Sequence, residues 1–150
     1  TLADIYFKKL FPMGVDAMLE SLELVKQGNA PKIVQNLDNG SYESWFGKKQ
    51  AQINWSDSAS KIYNIIRAGN PQPGAWTTHN DAELKIYDSC LSEDNGQPGE
   101  VLAIDDSGIT IAAGQNAVQI KRVRGDGGKV SAIEYASGQG LSVGDVLGGQ

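Results

Sequence analysis

The sequence is poor in residues that carry covalent or metal chemistry. It contains one cysteine, Cys90, and one histidine, His79. A single cysteine excludes an internal disulfide and is typical of a reducing compartment, so we expect a cytoplasmic protein. With one imidazole and one thiol, a zinc site would require carboxylates that converge on them. A nucleophilic triad is also not expected, because His79 would be its only imidazole base. We therefore predict that no metal is bound, that His79 lies in a turn and that Cys90 is a small, buried apolar residue.

Long apolar runs are also missing. No stretch approaches the roughly 20 consecutive apolar residues that a membrane span requires, so we expect no membrane partner. The 150 residues are nevertheless 40% hydrophobic. That content is sufficient for a core of ordinary size and argues against a disordered chain.

The most informative stretch is INWSDSASKIYNIIRAGNPQPGAWT, residues 53–77. Ser56 follows a short apolar anchor and is the predicted N-cap of a helix. Apolar residues at helical spacing predict the buried side of that helix, and they are Ala59, Ile62, Ile65 and Ile66. We expect the helix to end at Gly69, and the NPQPG segment predicts a rigid turn into a strand at residues 75–77.

After Trp76, short strand-like runs alternate with turns. The predicted strands cover residues 84–87, 100–104, 109–112 and 117–123. Residues 105–108 and 125–128 supply turns, and Ser131 with Glu134 has the form of a capping box. This regular spacing favours a small barrel or sandwich. The glycines at 125–128 lack the GK[ST] ending and the following helix of a phosphate loop.

The first third of the chain has a different pattern. Residues 3–27 are predicted to be helical, with a joint at Pro12 and an end at Gly28. An apolar stripe follows the second part of the helix, and its members are Val15, Met18, Leu19, Leu22 and Val25. From residue 29 to 52 the periodicity stops, which predicts a linker held to a surface by Trp45 and Phe46.

Charge is unevenly distributed. Residues 51–150 contain seven Lys and Arg against twelve Asp and Glu, so they carry the whole net charge of −5. A surface that binds nucleic acid must neutralise several phosphates, and an acidic half disfavours that partner. The exception is a basic group formed by Lys121, Arg122, Arg124 and Lys129. A partner contact and a solvated strand edge are both consistent with this group.

Several segments resemble the C-terminal part of the formyltransferase family that uses 10-formyltetrahydrofolate. The similar segments are LFPMG at 10–14, QGNAP at 27–31, YE at 42–43, KK at 48–49, INW at 53–55 and PGAWT at 73–77. The likeness covers nearly the whole chain and fades after about Leu91. The YE, KK, INW and PGAWT segments favour the branch of 10-formyltetrahydrofolate dehydrogenase, whereas the GDVLGG ending resembles methionyl-tRNA formyltransferase.

The resemblance implies an α+β fold in three parts. Residues 1–28 would be the last helices of an incomplete, Rossmann-like catalytic domain, residues 29–52 a linker, and residues 53–150 an OB-like open β-barrel. The family's catalytic Asn, His and Asp, with the His in an HxSLLP-type motif, have no counterpart in this sequence. We therefore expect no catalytic, cofactor-binding or metal-binding residues in this chain, which opens at Thr1 without a methionine.

The implied role is that of an accessory region in a longer formyltransferase or hydrolase. Its partner would be the missing N-terminal catalytic domain, and 10-formyltetrahydrofolate would be bound by the complete enzyme and not by this part. The acceptor would be a small amine or water, with tRNA less favoured because of the acidic charge. A free-standing OB-type binding module is the alternative from another class, and it would use the basic group to contact nucleic acid or protein.

Overall fold

A computed structural model describes residues 1–148 of the chain. The chain forms two compact units, an N-terminal unit from Thr1 to Trp45 and a C-terminal unit from Phe46 onward. The C-terminal unit therefore includes residues 46–52, which the sequence assigned to the linker, and Ala51 among them is fully buried.

The N-terminal unit is built on one helical stretch. It consists of α1 (Leu2–Ile5), a π-helical turn (Tyr6–Leu10) and α2 (Phe11–Lys26). The predicted joint is thus the π-helical turn that precedes Pro12, whose missing N–H falls in the first turn of α2. Gly28 ends the helix as predicted, with φ +72° and its N–H donating to the Val25 carbonyl at 3.0 Å.

The rest of this unit contains little regular structure. A short 3-10 turn covers Leu37–Asn39. The prediction that Trp45 holds the linker to a surface is wrong, because its side chain is 92% exposed. Phe46 is the first residue of the C-terminal unit, where it lines a groove with Ile65 and Ala68.

The C-terminal unit begins with the helix α3 (Ala59–Gly69). Its N-cap is Ser58, whose hydroxyl accepts from the Lys61 N–H at 3.4 Å, and not the predicted Ser56. The helix begins later than predicted because Asn54 forms a turn before it, in which Asn54 Oδ1 accepts from the Ser56 N–H at 3.1 Å. The helix ends at Gly69, and Ala59, Ile62 and Ile66 are buried as the spacing predicts.

Six antiparallel strands follow. They are β1 (Ala75–His79), β2 (Ala82–Ser92), β3 (Val101–Asp105), β4 (Gly108–Ala112), β5 (Ala117–Arg124) and β6 (Val130–Ser131). Their order across the sheet is β1-β2-β5-β4-β3, with β6 paired to β5. The predicted strands 100–104, 109–112 and 117–123 agree with β3 to β5 within one residue, whereas the predicted strand 84–87 covers only part of β2. The predicted hairpin turn joins β3 to β4 through the pair Asp105 and Gly108.

The α+β class is confirmed, but the sheet is open. Within residues 1–148, β1 and β3 are not paired with each other. The segment 141–148 covers both edges, because Gly148 N–H donates to the Thr78 carbonyl at 2.9 Å and Val101 N–H donates to the Asp145 carbonyl at 2.8 Å. We call this segment the C-terminal strap. Gly149 of the GDVLGG ending lies outside the described residues.

A last helix, α4 (Ala132–Gln139), precedes the strap. The Ser131 hydroxyl caps it by accepting from the Glu134 N–H at 3.1 Å, which is one of the two bonds of the predicted capping box. Both helices contribute to one core with the sheet, and its largest fully buried members include Ile62, Ile66, Leu84, Ile86, Ile111, Val118 and Val123.

Candidate functional site

A double bulge in the β2–β5 pair positions the predicted basic group. Ile86 pairs with Val123, Asp88 with Arg122 and Ser89 with Ile120. Tyr87 on β2 and Lys121 on β5 are therefore extra residues in the ladder. Strict alternation would turn either Lys121 or Arg122 toward the core, whereas the bulge leaves these consecutive side chains both exposed.

The four cations all lie on the hairpin formed by β5 and β6. Arg124 Nε donates to the Gly127 carbonyl at 3.1 Å, which ties this side chain to the turn. Lys129 Nζ lies 3.7 Å from the ring centroid of Tyr87. No salt bridge within the described part of the chain involves these residues. We call Lys121, Arg122, Arg124 and Lys129 the basic strip, and its unneutralised charge suits an anionic partner.

A cleft of about 310 Å³ adjoins the strip at the turn 125–128. Its wall includes the carboxylates of Asp126 and Glu134, and also Glu83, which is paired with Lys48 and Lys85. The turn leads into the two residues of β6 before α4 begins, so its geometry differs from a phosphate loop, as the sequence indicated. Carboxylates at this position also disfavour a bound phosphate.

Behind the cleft lies a contact that the sequence did not reveal. His79 was predicted in a turn, but it is the last residue of β1 and only 8% exposed. Its Nδ1 lies 2.9 Å from the Tyr135 hydroxyl. The turn is made by Asn80 and Asp81, both with positive φ. Burial and, secondarily, the charge of Asp126 raise the pKa of Tyr135.

One signal for His79 was available. Burial alternates along β1, so that Ala75, Thr77 and His79 all face inward. Extending the predicted strand by two residues would have placed the imidazole in the core. Because that imidazole is held by a tyrosine, it contributes to packing and hydrogen bonding and does not act as an exposed base.

Cys90 is only half-buried, so the prediction that it is a buried apolar residue is wrong. Its Sγ donates to Gln119 Oε1 at 3.2 Å, and Gln119 Nε2 donates in turn to the Ser107 hydroxyl at 2.9 Å. The thiol is therefore engaged by a side-chain amide of the neighbouring strand β5.

Two further observations concern residues 1–148. No group of three or more His, Cys, Asp or Glu side chains among them is arranged to hold a metal ion. No helix in this range has the length and apolar composition to cross a membrane.

Comparison with known proteins gives consistent results. The family described as Formyl transferase, C-terminal domain, matches residues 46–140. The methionyl-tRNA formyltransferase of Alkaliphilus metalliredigens is 36% identical over 143 residues, which are 93% of this chain and 46% of that protein. Cytosolic 10-formyltetrahydrofolate dehydrogenase of Xenopus laevis is 38% identical over 105 residues, 67% of this chain and 12% of that protein.

The fold also occurs in a solved structure, that of HypX from Aquifex aeolicus in complex with tetrahydrofolic acid. The TM-score is 0.65 at 23% sequence identity, and the match covers 86% of this chain and 23% of HypX. The likeness at this identity concerns the fold alone. The chain spans less than half the length of each of these proteins.

Proposed function

The chain belongs to the formyltransferase family, of which it contains the C-terminal domain, and we propose that it is the accessory region of a 10-formyltetrahydrofolate-dependent formyltransferase or hydrolase. Its role is to position the acceptor and to support a catalytic domain. Correct positioning accelerates a reaction through geometry, without proton transfer by the positioning region. The match over residues 46–140 is the observation that carries this proposal.

The helical N-terminal unit supports a partnership with a catalytic domain. The side chains of the predicted stripe are 46–65% exposed, and none of the helical residues 2–26 is buried. Tyr6, Leu10, Phe11 and Met18 line an apolar groove of about 510 Å³ on this unit. Exposed apolar surface of this kind marks an interface. We propose that residues 1–28 complete the catalytic domain of the whole enzyme.

We propose that 10-formyltetrahydrofolate is held outside this chain. A folate carries carboxylates on its glutamyl end, whereas the cleft beside the turn 125–128 is lined by the carboxylates of Asp126 and Glu134, which form no salt bridge within residues 1–148. Like charges there oppose binding, so these residues do not fit the cofactor. We interpret the open sheet with its C-terminal strap as OB-like, and we propose a cytoplasmic location on the basis of the single cysteine Cys90.

A chimaera tests this function and separates the two branches. The chain would replace the matching half of the Alkaliphilus metalliredigens relative, and turnover of 10-formyltetrahydrofolate would be measured with methionyl-tRNA, with small amines and with water as acceptors. We expect turnover above that of the remaining half alone, with an amine or water as the better acceptor because the C-terminal residues are acidic. A chimaera no faster than that half would contradict the accessory role.

The second candidate is a tRNA-contacting domain, and the basic strip is the observation that favours it. If tRNA is the acceptor, replacing Lys121, Arg122 and Arg124 with alanine weakens tRNA binding and makes its salt dependence shallower, by about 0.9 in log–log slope for each phosphate that the protein no longer neutralises. A matched triple variant at Lys9, Lys26 and Lys32 controls for net charge. Equal weakening in both variants would show that the basic strip has no special role. Tight binding of tRNA by the chain without any catalytic half would instead favour a free-standing binding module.

A further inference from the structure

The beginning of the C-terminal unit is fastened to the sheet by side chains that the proposed function does not use. The Trp76 indole Nε1 donates a hydrogen bond to the main-chain carbonyl of Lys48 at 2.8 Å. Lys48 Nζ lies 2.5 Å from Glu83 Oε2 and 5.1 Å from the centroid of the Trp76 ring. We call Lys48, Trp76 and Glu83 the clamp. Trp76 and Glu83 therefore hold Lys48 at two points, its main-chain carbonyl and its ammonium group.

The clamp rests on a rigid support. Trp76 lies on β1, and Glu83 lies on the paired strand β2. The Trp76 main chain is engaged as well, because its N–H donates to the Ala51 carbonyl at 2.9 Å and its carbonyl accepts from the Ile53 N–H at 2.8 Å. Both the side chain and the backbone of Trp76 thus hold the segment 48–53.

Electrostatics reinforce this arrangement. Lys85 Nζ lies 3.6 Å from the second carboxylate oxygen of Glu83, so the carboxylate has a cation at each oxygen. The hydrogen bond from Lys48 is the main reason that the pKa of Glu83 is lowered. An isolated surface ion pair contributes little to stability. Here the ion pair acts together with a cation–π contact and an indole hydrogen bond on the same lysine, which raises the cost of releasing it.

The chain immediately upstream is held quite differently. Trp45 is 92% exposed, and residues 40–46 contain no helix or strand. The chain therefore changes within a few residues, at the clamp, from a segment without regular structure to one that is hydrogen-bonded to the sheet.

We propose that the clamp defines the end of the linker, by holding the chain from Lys48 onward against β1 and β2 and confining linker mobility to residues upstream of Phe46. The clamp acts within the C-terminal unit whatever the acceptor is, and independently of the proposed function.

Limited proteolysis with trypsin tests the clamp directly, because the Lys48 carbonyl that accepts the indole hydrogen bond belongs to a peptide bond that trypsin recognises. In the unmodified chain we expect rapid cleavage after Lys32 in the exposed linker and protection after Lys48 and Lys49. Glu83→Gln removes the ion pair but keeps the cleavage site, and Trp76→Phe removes the donor but keeps an aromatic ring. Either variant should be cleaved after Lys48 or Lys49 roughly tenfold faster.

Glu93→Gln is the matched control, since it removes the same charge at an exposed position and should leave the fragment masses and rates unchanged. Cleavage after Lys61 within α3 and after Lys85 within β2 reports unfolding of the whole C-terminal unit. The proposal is overturned if the unmodified chain is cut after Lys48 as fast as after Lys32, or if both clamp variants stay protected. It is also overturned if cleavage after Lys61 and Lys85 accelerates equally, because the variants would then unfold the unit and not release the clamp.

Discussion

At the scale of single residues, the contact between His79 and Tyr135 is the clearest case of a polar group placed by the fold. His79 is 8% exposed, and the tyrosine hydroxyl is its hydrogen-bonding partner at 2.9 Å. A buried polar atom that loses its partner keeps its desolvation cost. The pair therefore links the end of β1 to α4, two elements far apart in the sequence.

Replacing this tyrosine has two expected effects. Tyr135→Phe should lower the free energy of unfolding by about 1–3 kcal/mol, because it leaves an imidazole nitrogen without its partner. It should also reduce the alkaline loss of stability. Burial and Asp126 raise the pKa of Tyr135 above 10.0, so the stability that the tyrosine contributes is present below that pH and is lost as the pH rises through the folded value.

Urea denaturation at about pH 8 and about pH 11 measures both effects. Tyr63→Phe on α3 is the control, since no hydrogen bond of its hydroxyl occurs among the described residues. If Tyr135→Phe and the unmodified chain lost the same stability between the two pH values, the environment described for Tyr135 would be wrong.

At the scale of elements, small backbone features decide which side chains a strand or helix presents. The bulge at Lys121 exposes two consecutive cations that a regular strand would have separated. The start of α3 is a similar case. Gly114 N–H donates to the Asp57 carbonyl at 2.8 Å, and a Cβ at Gly114 would lie 2.1 Å from the Ser56 carbonyl oxygen. The loop after β4 thus holds residues 56 and 57 in place, and the helix begins after them.

The position of the cap can be measured. Ser58→Ala should lower the free energy of unfolding by about 1 kcal/mol, because it removes the acceptor for a free N–H at the helix start. Ser56→Ala is the matched control and should have a smaller effect, since the Ser58 hydroxyl is the one that accepts from the Lys61 N–H. Chemical denaturation of both variants distinguishes the positions. A larger destabilisation by Ser56→Ala would favour the cap suggested by the sequence.

At the scale of the whole molecule, the N-terminal unit exposes much more apolar surface than the C-terminal unit. Its helical residues are all unburied, whereas the C-terminal unit has a core that includes α3, α4 and the sheet. Apolar surface of this extent promotes association. An isolated preparation of the chain should therefore self-associate through α2 when no catalytic domain is present.

Sedimentation velocity tests this expectation. Met18→Lys combined with Leu22→Lys should shift the chain toward monomer, because both side chains are more than half exposed, at 62% and 56%. Glu20→Gln combined with Glu23→Gln changes the net charge by the same amount on polar positions of α2 and should leave the association unchanged. Equal dissociation by the two pairs would mean that charge, and not apolar contact, controls the behaviour.

Local features were predictable because they depend on residues close in the sequence. The ends of α2 and α3 at Gly28 and Gly69, the cap of α4 at Ser131 and the hairpin at residues 105–108 agree with the structure. A glycine with positive φ, a capping oxygen or a short turn depends only on contacts between residues a few positions apart. The residues of the basic strip were also identified from sequence, although their joint exposure was not.

By itself, the sequence determined the main helices and strands, because periodicity and turn chemistry are local, and its motifs carried the family resemblance that implied the α+β class. Only the tertiary structure decided the burial of His79, the bulge that exposes Lys121 and Arg122, and the open sheet whose edges the C-terminal strap covers. Each of these depends on hydrogen bonds between segments far apart in the chain. Strand register and the covering of sheet edges are set by such pairs, and a single sequence does not specify which distant partners meet.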